Sequence, residues 1–320
     1  MRGLYVGLDI GASKIRACSS RDPPRIDRKR VIPFPRGGPE SVERALIELV
    51  LDVSAGESIL GIGVGSIGPV DPRHGRVEGA PNAPLKSFRV KEPLEITLGT
   101  EVLVVNDCLA AAWGEKIFGA GRDLSDFGYI TISSGIGGGF VVDGELIVGQ
   151  RGRSHEVGHI VIDYSSEVSC GCGGYGHWEA LAGGANLPRS LPALARKLSP
   201  EVLKTSPLWR SSRSSEVSYE ELFALASRGD RVALLLLEEL SRIHAAGLAS
   251  CSSTYDPSVI FLGGSVFLEN EEYFLGKLRE LLPLFSMGRE TPELRRSTFG
   301  HDAVLVGALS LLIERPRALR

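Results

Sequence analysis

The chain opens with an apolar strand, a turn of small residues and a second strand, and this pattern returns about a hundred residues later. Short apolar runs on either side of small residues predict strands joined by tight turns. Two parts of a chain that open alike predict two related α/β lobes that face each other. The first pattern is Leu4–Asp9, Gly11-Ala12-Ser13 and Ile15–Ser19, and the second is Tyr129–Ser133, Ser134–Gly138 and Gly139–Val142.

Further elements follow each pattern. Apolar residues at Val42, Leu46, Leu49 and Val50 have the spacing of one helix face. The segment 22–39, rich in Pro and Arg, is expected to be irregular or an edge strand. Other strands are predicted over 59–64, 101–105 and 259–262, and other helices over 109–118, 230–252 and 303–313.

These elements divide into lobes of residues 1–112 and 113–302, the second containing a loop over 155–179. Residues 303–320 are predicted to form a C-terminal helix that packs back on the first lobe. Residues 198–215, rich in Ser and Arg, are expected to be a mobile surface loop.

Length and composition exclude several classes of protein. The 320 residues, 43% of them hydrophobic, are enough for two lobes with a large core. The net charge of −3 argues against a nucleic-acid binder, and no apolar run reaches the roughly 18 residues of a membrane span. Five cysteines are too few for a disulfide framework, so we expect a cytoplasmic protein. The chain has 28 Arg but 8 Lys, and only 4 Asn and 1 Gln. Scarcity of thermolabile amides is typical of thermophiles, and a genome rich in G and C would equally explain the many Arg.

The two turns of small residues are candidate phosphate-binding loops. Small residues let backbone N–H groups approach a phosphate closely. A pair of such turns at matching places is better explained by a phosphate chain held from both sides than by two structural turns. Neither turn is a Walker loop, because no GK[ST] follows it. Beside the first turn, the Asp9 carboxylate can hold Mg²⁺ against phosphates, and Lys14 is either a phosphate-neutralising or a solvated lysine.

Asn106 and Asp107 form a second candidate site at the end of the strand over 101–105. Ligand sites of α/β sheets lie at the carboxyl ends of their strands. Asp107 opens the following helix, where it can serve as an N-cap. It can also serve as a general base, because the helix dipole keeps its carboxylate ionised.

Four soft or borderline metal ligands, His159, Cys170, Cys172 and His177, fall within 19 residues. Zinc takes nitrogen and sulfur ligands in tetrahedral geometry, and four protein ligands leave no open position. The cluster therefore predicts a structural zinc that cross-links a glycine-rich loop. The loop would also fix the carboxylates of Glu156 and Glu179, which are natural acceptors for sugar hydroxyls.

Together these motifs resemble the ROK family of repressors, open reading frames and sugar kinases. Five blocks match the family in order across most of the chain, and the last two are highly specific to it. The matching blocks are Asp9–Lys14, Val105-Asn106-Asp107 with Ala110 and Ala111, Ser134–Gly139, His155–His159 and Cys170–Glu179. Leu262–Ser265 also resembles the family's adenosine-side motif.

The resemblance implies a two-lobed, actin-like (ribonuclease H-like) ATPase fold of the α/β class and ATP-dependent phosphorylation of a hexose. It makes Asp107 the catalytic base, and it implies a homodimer. The sugar-binding residues implied are Asn82, Asn106, Asp107, Glu156, His159 and Glu179. The residues implied to bind ATP and Mg²⁺ are Asp9, Gly11, Ala12, Ser13, Lys14, Ser134, Gly135, Gly137, Gly263 and Gly264.

The sequence departs from the family pattern at a few positions. Ala12 and Ser13 stand where the first phosphate motif has Gly and Thr, and Ser133-Ser134 where the second has Gly-Thr. These residues stay small enough for a phosphate to approach. His155 stands in place of a glycine, and His177 replaces the third zinc cysteine. A site of two His and two Cys is still sound zinc chemistry.

Two kinds of alternative remain open at this point. Among kinases, glucose phosphorylated at its 6-hydroxyl is the first expectation, with broad hexose use or an N-acetylhexosamine substrate as alternatives. Among other classes, the alternative is a sugar-sensing regulator without catalysis. Family repressors carry an N-terminal helix-turn-helix, whereas here the first phosphate motif begins by Asp9.

Overall fold

A computed structural model describes residues 3–79, 84–210 and 217–320, and Asn82 lies outside the described residues. The strands are β1 Leu4–Ile10, β2 Lys14–Ser20, β3 Arg28–Pro33, β4 Ile59–Ser66, β5 Val70–Asp71, β6 Arg76–Glu78, β7 Ser87–Arg89, β8 Val102–Asn106, β9 Phe127–Ile132, β10 Ile136–Val142, β11 Glu145–Leu146, β12 Val259–Gly263 and β13 Glu293–Arg296. The helices are α1 Pro39–Ser54, α2 Lys91–Leu98, α3 Asp107–Ile117, α4 Trp178–Ala182, α5 Leu187–Ala195, α6 Pro200–Leu203, α7 Pro207–Arg210, α8 Tyr219–Ala226, α9 Arg231–Tyr255, α10 Ser265–Glu269, α11 Glu271–Phe285 and α12 Ala303–Ile313.

Two five-stranded sheets share one topology. The first has the order β3-β2-β1-β4-β8, and the second has the order β11-β10-β9-β12-β13. In each sheet the strand that comes first in the chain is central, the next two strands lie on one side and the last two lie on the other. The repeated strand–turn–strand pattern therefore marks the start of each of two related sheets. A smaller sheet, β5-β6-β7, follows β4 along the chain.

The strand β1 is buried on both faces because a helix covers each one. Its residues Val6 and Leu8 pack in one apolar cluster with residues of α1 such as Leu46. On the opposite face Gly7 lies against α12, where an added Cβ would be 2.9 Å from the carbonyl oxygen of Leu305. Burial of continuous apolar strands between two helical layers is the usual arrangement of parallel α/β sheets.

The C-terminal helix α12 approaches its neighbours at glycines. A Cβ added to Gly63 of β4 would lie only 1.8 Å from the carbonyl oxygen of Ala308. A Cβ added to Gly307 of α12 would lie 2.0 Å from the carbonyl oxygen of Ala110 in α3. Since real Cβ atoms do not come this close to backbone, the packing of α12 on β4 and α3 requires glycine at both positions.

Most predicted elements are confirmed. The strands predicted over 59–64, 101–105 and 259–262 are β4, β8 and β12, and the helices predicted over 109–118, 230–252 and 303–313 are α3, α9 and α12. The segment 22–39 contains β3, which is an edge strand as expected. The expectation of a loop throughout 198–215 is wrong, because Ser199 and Pro200 start α6, and α7 follows at Pro207.

The chain divides into two compact units. The first comprises Met1–Tyr129, Gly138–His155 and Ser297–Arg320, and it holds the first sheet with α1, α3 and α12. The second comprises Ile130–Gly137 and Glu156–Arg296, and it holds α4 to α11 with β12 and β13. The lobe boundaries predicted from the sequence stay a prediction. Within the described ranges, every helix is too short or too polar to cross a lipid bilayer.

We expect Gly63→Ala to destabilise the protein, because the new methyl group must displace the backbone of α12 at Ala308. Overpacking of this kind costs about 2 kcal/mol, which lowers the melting temperature by roughly 4–8 °C. The matched control is Gly276→Ala inside α11, where a Cβ meets nothing within 4 Å and helix propensity improves. Differential scanning calorimetry of both variants checks this, and equal melting temperatures would contradict it.

Candidate functional site

Asn106 and Asp107 lie where β8 ends and α3 begins, in the first unit. Asn106 is 4% exposed, and its side-chain oxygen accepts a hydrogen bond from the N–H of Cys108 at 2.8 Å. Asn106 is therefore the N-cap of α3, and the N-cap reading of Asp107 is wrong. Asp107 is already the first helical residue, although its carboxylate also accepts from the Cys108 N–H at 2.9 Å. With Asn106 as the N-cap, the second carboxylate oxygen of Asp107 has no part in capping.

The environment of Asp107 raises the pKa of its carboxyl to about 6. Burial is the main cause, and the like charge of Asp9 raises the pKa further. The nearby imidazole of His155 and the hydrogen bonds from Cys108 oppose this rise. A carboxylate with such a pKa is ionised at neutral pH and is a stronger proton acceptor than an ordinary aspartate.

Asp9 forms an ion pair with Arg16 that the sequence interpretation missed. The two residues are opposite one another in the β1–β2 hairpin, so the strand register itself brings them together. Burial raises the pKa of the Asp9 carboxyl, while Arg16 and Lys14 lower it. Arg16 also donates to the carbonyl of His301 and lies 3.8 Å from Asp302. The signal that could have found the pair is the equal distance of Asp9 and Arg16 from the turn.

The predicted first phosphate loop joins β1 to β2. The N–H of Gly11 donates to the carbonyl of Lys14 at 3.0 Å, which closes the turn, and the Ser13 carbonyl accepts from the Phe34 N–H at 2.9 Å. The side chains of Ser13 and Lys14 are exposed. The turn is thus fixed through its backbone and leaves small and basic side chains accessible.

His155 is another residue that the sequence interpretation did not place in the site. It lies near Asp107. Its imidazole is 3% exposed. A Cβ added to Gly68 would lie 2.9 Å from His155 Nε2 and 3.1 Å from Asn106 Nδ2, so both side chains border Gly68. The only signal in the sequence was the departure from glycine at position 155.

In the second unit, the predicted metal ligands come together. One ligand atom from each of His159, Cys170, Cys172 and His177 lies within 4.8 Å of all the others. His159 Nδ1 is 3.6 Å from Cys170 Sγ, and His177 Nδ1 is 3.4 Å from Cys172 Sγ. The two Nδ1 atoms are 3.3 Å apart. Two imidazole nitrogens and two thiols form a donor set that suits a tetrahedral zinc ion.

Glu156 and Glu179 flank this cluster in different ways. Glu156 Oε2 lies 3.2 Å from His159 Nε2, and this contact raises the pKa of the imidazole. His159 therefore directs one nitrogen to the metal ligands and the other to a carboxylate, as metal-binding histidines do. Glu179 is buried, and its carboxylate accepts from the N–H of Ile136 at 2.9 Å.

The second predicted phosphate loop lies against the segment that follows β12. The hydroxyls of Ser133 and Ser265 are 2.9 Å apart. Gly264 has φ of +88°, and an added Cβ would lie 2.4 Å from the carbonyl oxygen of Ile132. The Ser134 carbonyl accepts from the Ala185 N–H at 2.9 Å. The structure therefore brings the residues just before Ser134 into contact with Gly264 and Ser265, all in the second unit.

The predicted site residues divide between the two units. Those in the first unit are Asp9, Gly11, Ala12, Ser13, Lys14, Asn106 and Asp107, and those in the second are Ser134, Gly135, Gly137, Glu156, His159, Cys170, Cys172, His177, Glu179, Gly263 and Gly264. The first set offers a half-buried proton acceptor and a backbone turn. The second offers a metal-ligand cluster, carboxylates that can accept hydrogen bonds from hydroxyl groups, and a second backbone turn.

Known proteins resemble the chain along nearly its whole length. The model of the ROK family matches residues 5–315. A glucokinase of Aeropyrum pernix is 37% identical over 322 residues, which cover 98% of this chain and 98% of that protein. A ROK family glucokinase of Streptomyces griseus, solved in complex with glucose and AMPPNP, is 32% identical with a TM-score of 0.79 and covers 97% of this chain and 99% of its own. A ROK hexokinase structure from Thermus thermophilus is 36% identical with a TM-score of 0.79, covering 97% of each chain. These similarities confirm the predicted α/β fold of the actin-like ATPase class.

We expect the Asp107 carboxyl to titrate near pH 6, above the ordinary value of 3.8, because the surrounding protein removes much of its solvation and Asp9 carries a like charge. Infrared difference titration of the wild-type protein against Asp107→Asn isolates this carboxyl. Asp9→Asn removes the like charge and should move the midpoint to lower pH. The exposed Asp52→Asn is the control and should leave it unchanged. A wild-type midpoint at the ordinary value would contradict the assignment.

Proposed function

The chain belongs to the ROK family, and we infer that it is a kinase that transfers the γ-phosphate of ATP to glucose. The observation that carries this function is a half-buried carboxylate, Asp107, at the start of α3 in a chain that matches glucokinases along nearly its whole length. We propose the 6-hydroxyl of glucose as the acceptor.

Asp107 is the proposed general base. Its carboxylate accepts the proton of the sugar hydroxyl while the hydroxyl oxygen forms a bond to the γ-phosphorus. The bond between the γ-phosphorus and the β–γ bridging oxygen breaks, and ADP leaves. A pKa of about 6 places this base close to neutral pH, where proton transfer and the ionised form are both available.

The proposed sugar-binding residues are Asn82, Asn106, Asp107, Glu156, His159 and Glu179. Carboxylates and amides suit this role because a sugar presents several hydroxyls that need acceptors and donors. The hydrogen bonds of Asn106 to Cys108 and of Glu179 to Ile136 support the proposal, since each holds its side chain in one orientation. Held side chains bind a substrate with little loss of conformational entropy.

The proposed ATP-binding residues are Asp9, Gly11, Ala12, Ser13, Lys14, Ser134, Gly135, Gly137, Gly263 and Gly264. Phosphoryl transfer depends on positioning and charge neutralisation more than on covalent chemistry. Asp9 has the oxygen donors that Mg²⁺ prefers, and Mg²⁺ bound with ATP would neutralise phosphate charge. Arg16 and Lys14 keep positive charge close to the same carboxylate.

We further propose that His159, Cys170, Cys172 and His177 bind one structural zinc ion. In the metal-free protein burial raises the pKa of the Cys170 thiol to about 11. A bound cation would hold this thiol as the thiolate. Because four protein ligands fill the tetrahedron, zinc would stabilise the loop and take no part in the reaction. Homodimer formation, a cytoplasmic location and a thermophilic source stay predictions.

Asp107→Asn should retain glucose binding and lose turnover, because the amide keeps the shape of the side chain but cannot accept the proton. We expect kcat to fall about 10²- to 10⁴-fold, measured in a coupled ADP assay. Isothermal titration calorimetry should give a glucose Kd close to that of the wild-type protein. The control is Asp143→Asn in an exposed turn with φ of +52°, a conformation that asparagine tolerates.

The coupled ADP assay also tests which sugar is the substrate. The panel consists of glucose, mannose, fructose, N-acetylglucosamine and N-acetylmannosamine. Preference for an N-acetylhexosamine would replace glucose in the proposal. Sugar binding without ADP formation from any of these sugars would favour the regulator. Turnover by Asp107→Asn near the wild-type rate would remove Asp107 from its role as base.

The purified protein should contain about one equivalent of zinc per chain. Cys172→Ser should reduce this to less than about half an equivalent and lower the melting temperature, since it removes one of four ligands. Cys251→Ala is the control, because that buried thiol lies in α9 and outside the cluster. Metal analysis by mass spectrometry checks both variants. A wild-type protein that is fully stable without zinc would contradict the proposal.

A further inference from the structure

Helix α4 is held at both ends by one chain of buried hydrogen bonds. The indole Nε1–H of its first residue, Trp178, donates to His244 Nδ1 at 3.1 Å. His244 Nε2 lies 3.0 Å from the hydroxyl oxygen of Tyr219. That hydroxyl donates to the carbonyl of Ala182, the last residue of α4, at 2.9 Å. The chain of bonds therefore leaves α4 at one end and returns to it at the other.

The direction of every bond in this chain is fixed. The His244 side chain is completely buried, and burial lowers its pKa to about 3, so the ring is neutral and carries one N–H. An indole nitrogen can only donate, so His244 Nδ1 is the acceptor and the N–H is on Nε2. His244 then donates to the Tyr219 oxygen, whose own hydrogen is directed to Ala182. A second arrangement would leave a buried polar group unpaired.

Close packing holds the same three side chains in place. A Cβ added to Gly247 of α9 would lie 2.2 Å from the Trp178 ring, so the indole lies directly on the helix backbone. The ring of Phe274 stands edge-on to both His244 and Tyr219, at centroid distances of 5.6 Å and 6.0 Å. The indole and the imidazole are both completely buried.

The residues on either side of Trp178 belong to the proposed site. His177 precedes it and is one of the proposed zinc ligands. Glu179 follows it and accepts the N–H of Ile136 at 2.9 Å. The backbone N–H of Trp178 donates to the carbonyl of Ile160 at 2.9 Å. This bond ties the start of α4 to the residue after His159. A shift of α4 by one ångström would move the Glu179 carboxylate with it.

We propose that Trp178, His244 and Tyr219 are positioning residues that fix α4, and through it the Glu179 carboxylate, for sugar binding. This inference rests on the proposed function, in which Glu179 binds the sugar. A polar chain suits the role because each hydrogen bond has one partner and one direction.

Tyr219→Phe tests the proposal with minimal change of shape. It removes the donor to Ala182 and leaves the His244 N–H without its acceptor. We expect the KM for glucose to rise about 3- to 30-fold, while kcat and the KM for ATP stay within about twofold. The matched control is Tyr273→Phe, which also removes one hydroxyl from the same ring cluster. Tyr273 packs on Phe274, but its hydroxyl bonds Ser241.

A purely structural role would lower the melting temperature of both variants and leave both glucose KM values unchanged, and that result would overturn the proposal. A second pair of variants separates hydrogen bonding from volume. His244→Gln keeps one acceptor and one donor and should retain a glucose KM close to that of the wild-type protein. His244→Leu keeps neither and should raise it. Equal glucose KM values in this pair would also overturn the proposal.

The wild-type assay and the variants fail in different ways. A wild-type protein that phosphorylates no glucose would contradict the proposed function alone. The glucose Kd from calorimetry still tests the positioning role without turnover, since it should rise in Tyr219→Phe and not in Tyr273→Phe. Unchanged Kd values in both variants would contradict the positioning role alone.

Discussion

Direct contact between glycines and backbone carbonyls sets the position of the site residues in the first unit. Gly7 of β1 and Gly63 of β4 lie against carbonyls of α12, and Gly307 of α12 lies against a carbonyl of α3. At Gly63 and Gly307 the nearest atoms are all backbone, so these elements cannot shift past one another without a clash. Because β1 leads to Asp9 and α3 begins with Asp107, the spacing of the two carboxylates follows from this packing.

Burial and charge then decide what the two carboxylates can do. Asp9 has a cationic partner in Arg16, whereas Asp107 accepts hydrogen bonds from the backbone N–H and the side chain of Cys108. Loss of solvation is the main cause that raises the pKa of both carboxyls, and the like charge of Asp9 adds to the rise of the Asp107 pKa to about 6. The environment has thus given one carboxyl a cationic partner and left the other as the candidate proton acceptor.

In the second unit the site residues lie on short elements, which need support from other parts of the chain. The segment from His159 to His177 has little apolar core, and a bound zinc ion would supply the missing cross-link. The five residues of α4 are too few to form a stable helix alone. Buried hydrogen bonds from Trp178 to His244 of α9 and from Tyr219 of α8 to Ala182 anchor that helix, which explains how so short an element can hold Glu179.

The sequence by itself determined the repeated sheet, most helices and the residues of the metal-ligand cluster, because hydrophobic period, turn residues and ligand spacing are local properties of the chain. Only the tertiary structure decided which cap α3 uses, that Arg16 pairs with Asp9, and that His155 borders Asn106. It also revealed how His244, far along the chain, supports Trp178. Burial, rotamer and strand register fix these contacts, and all three arise only when distant segments pack together.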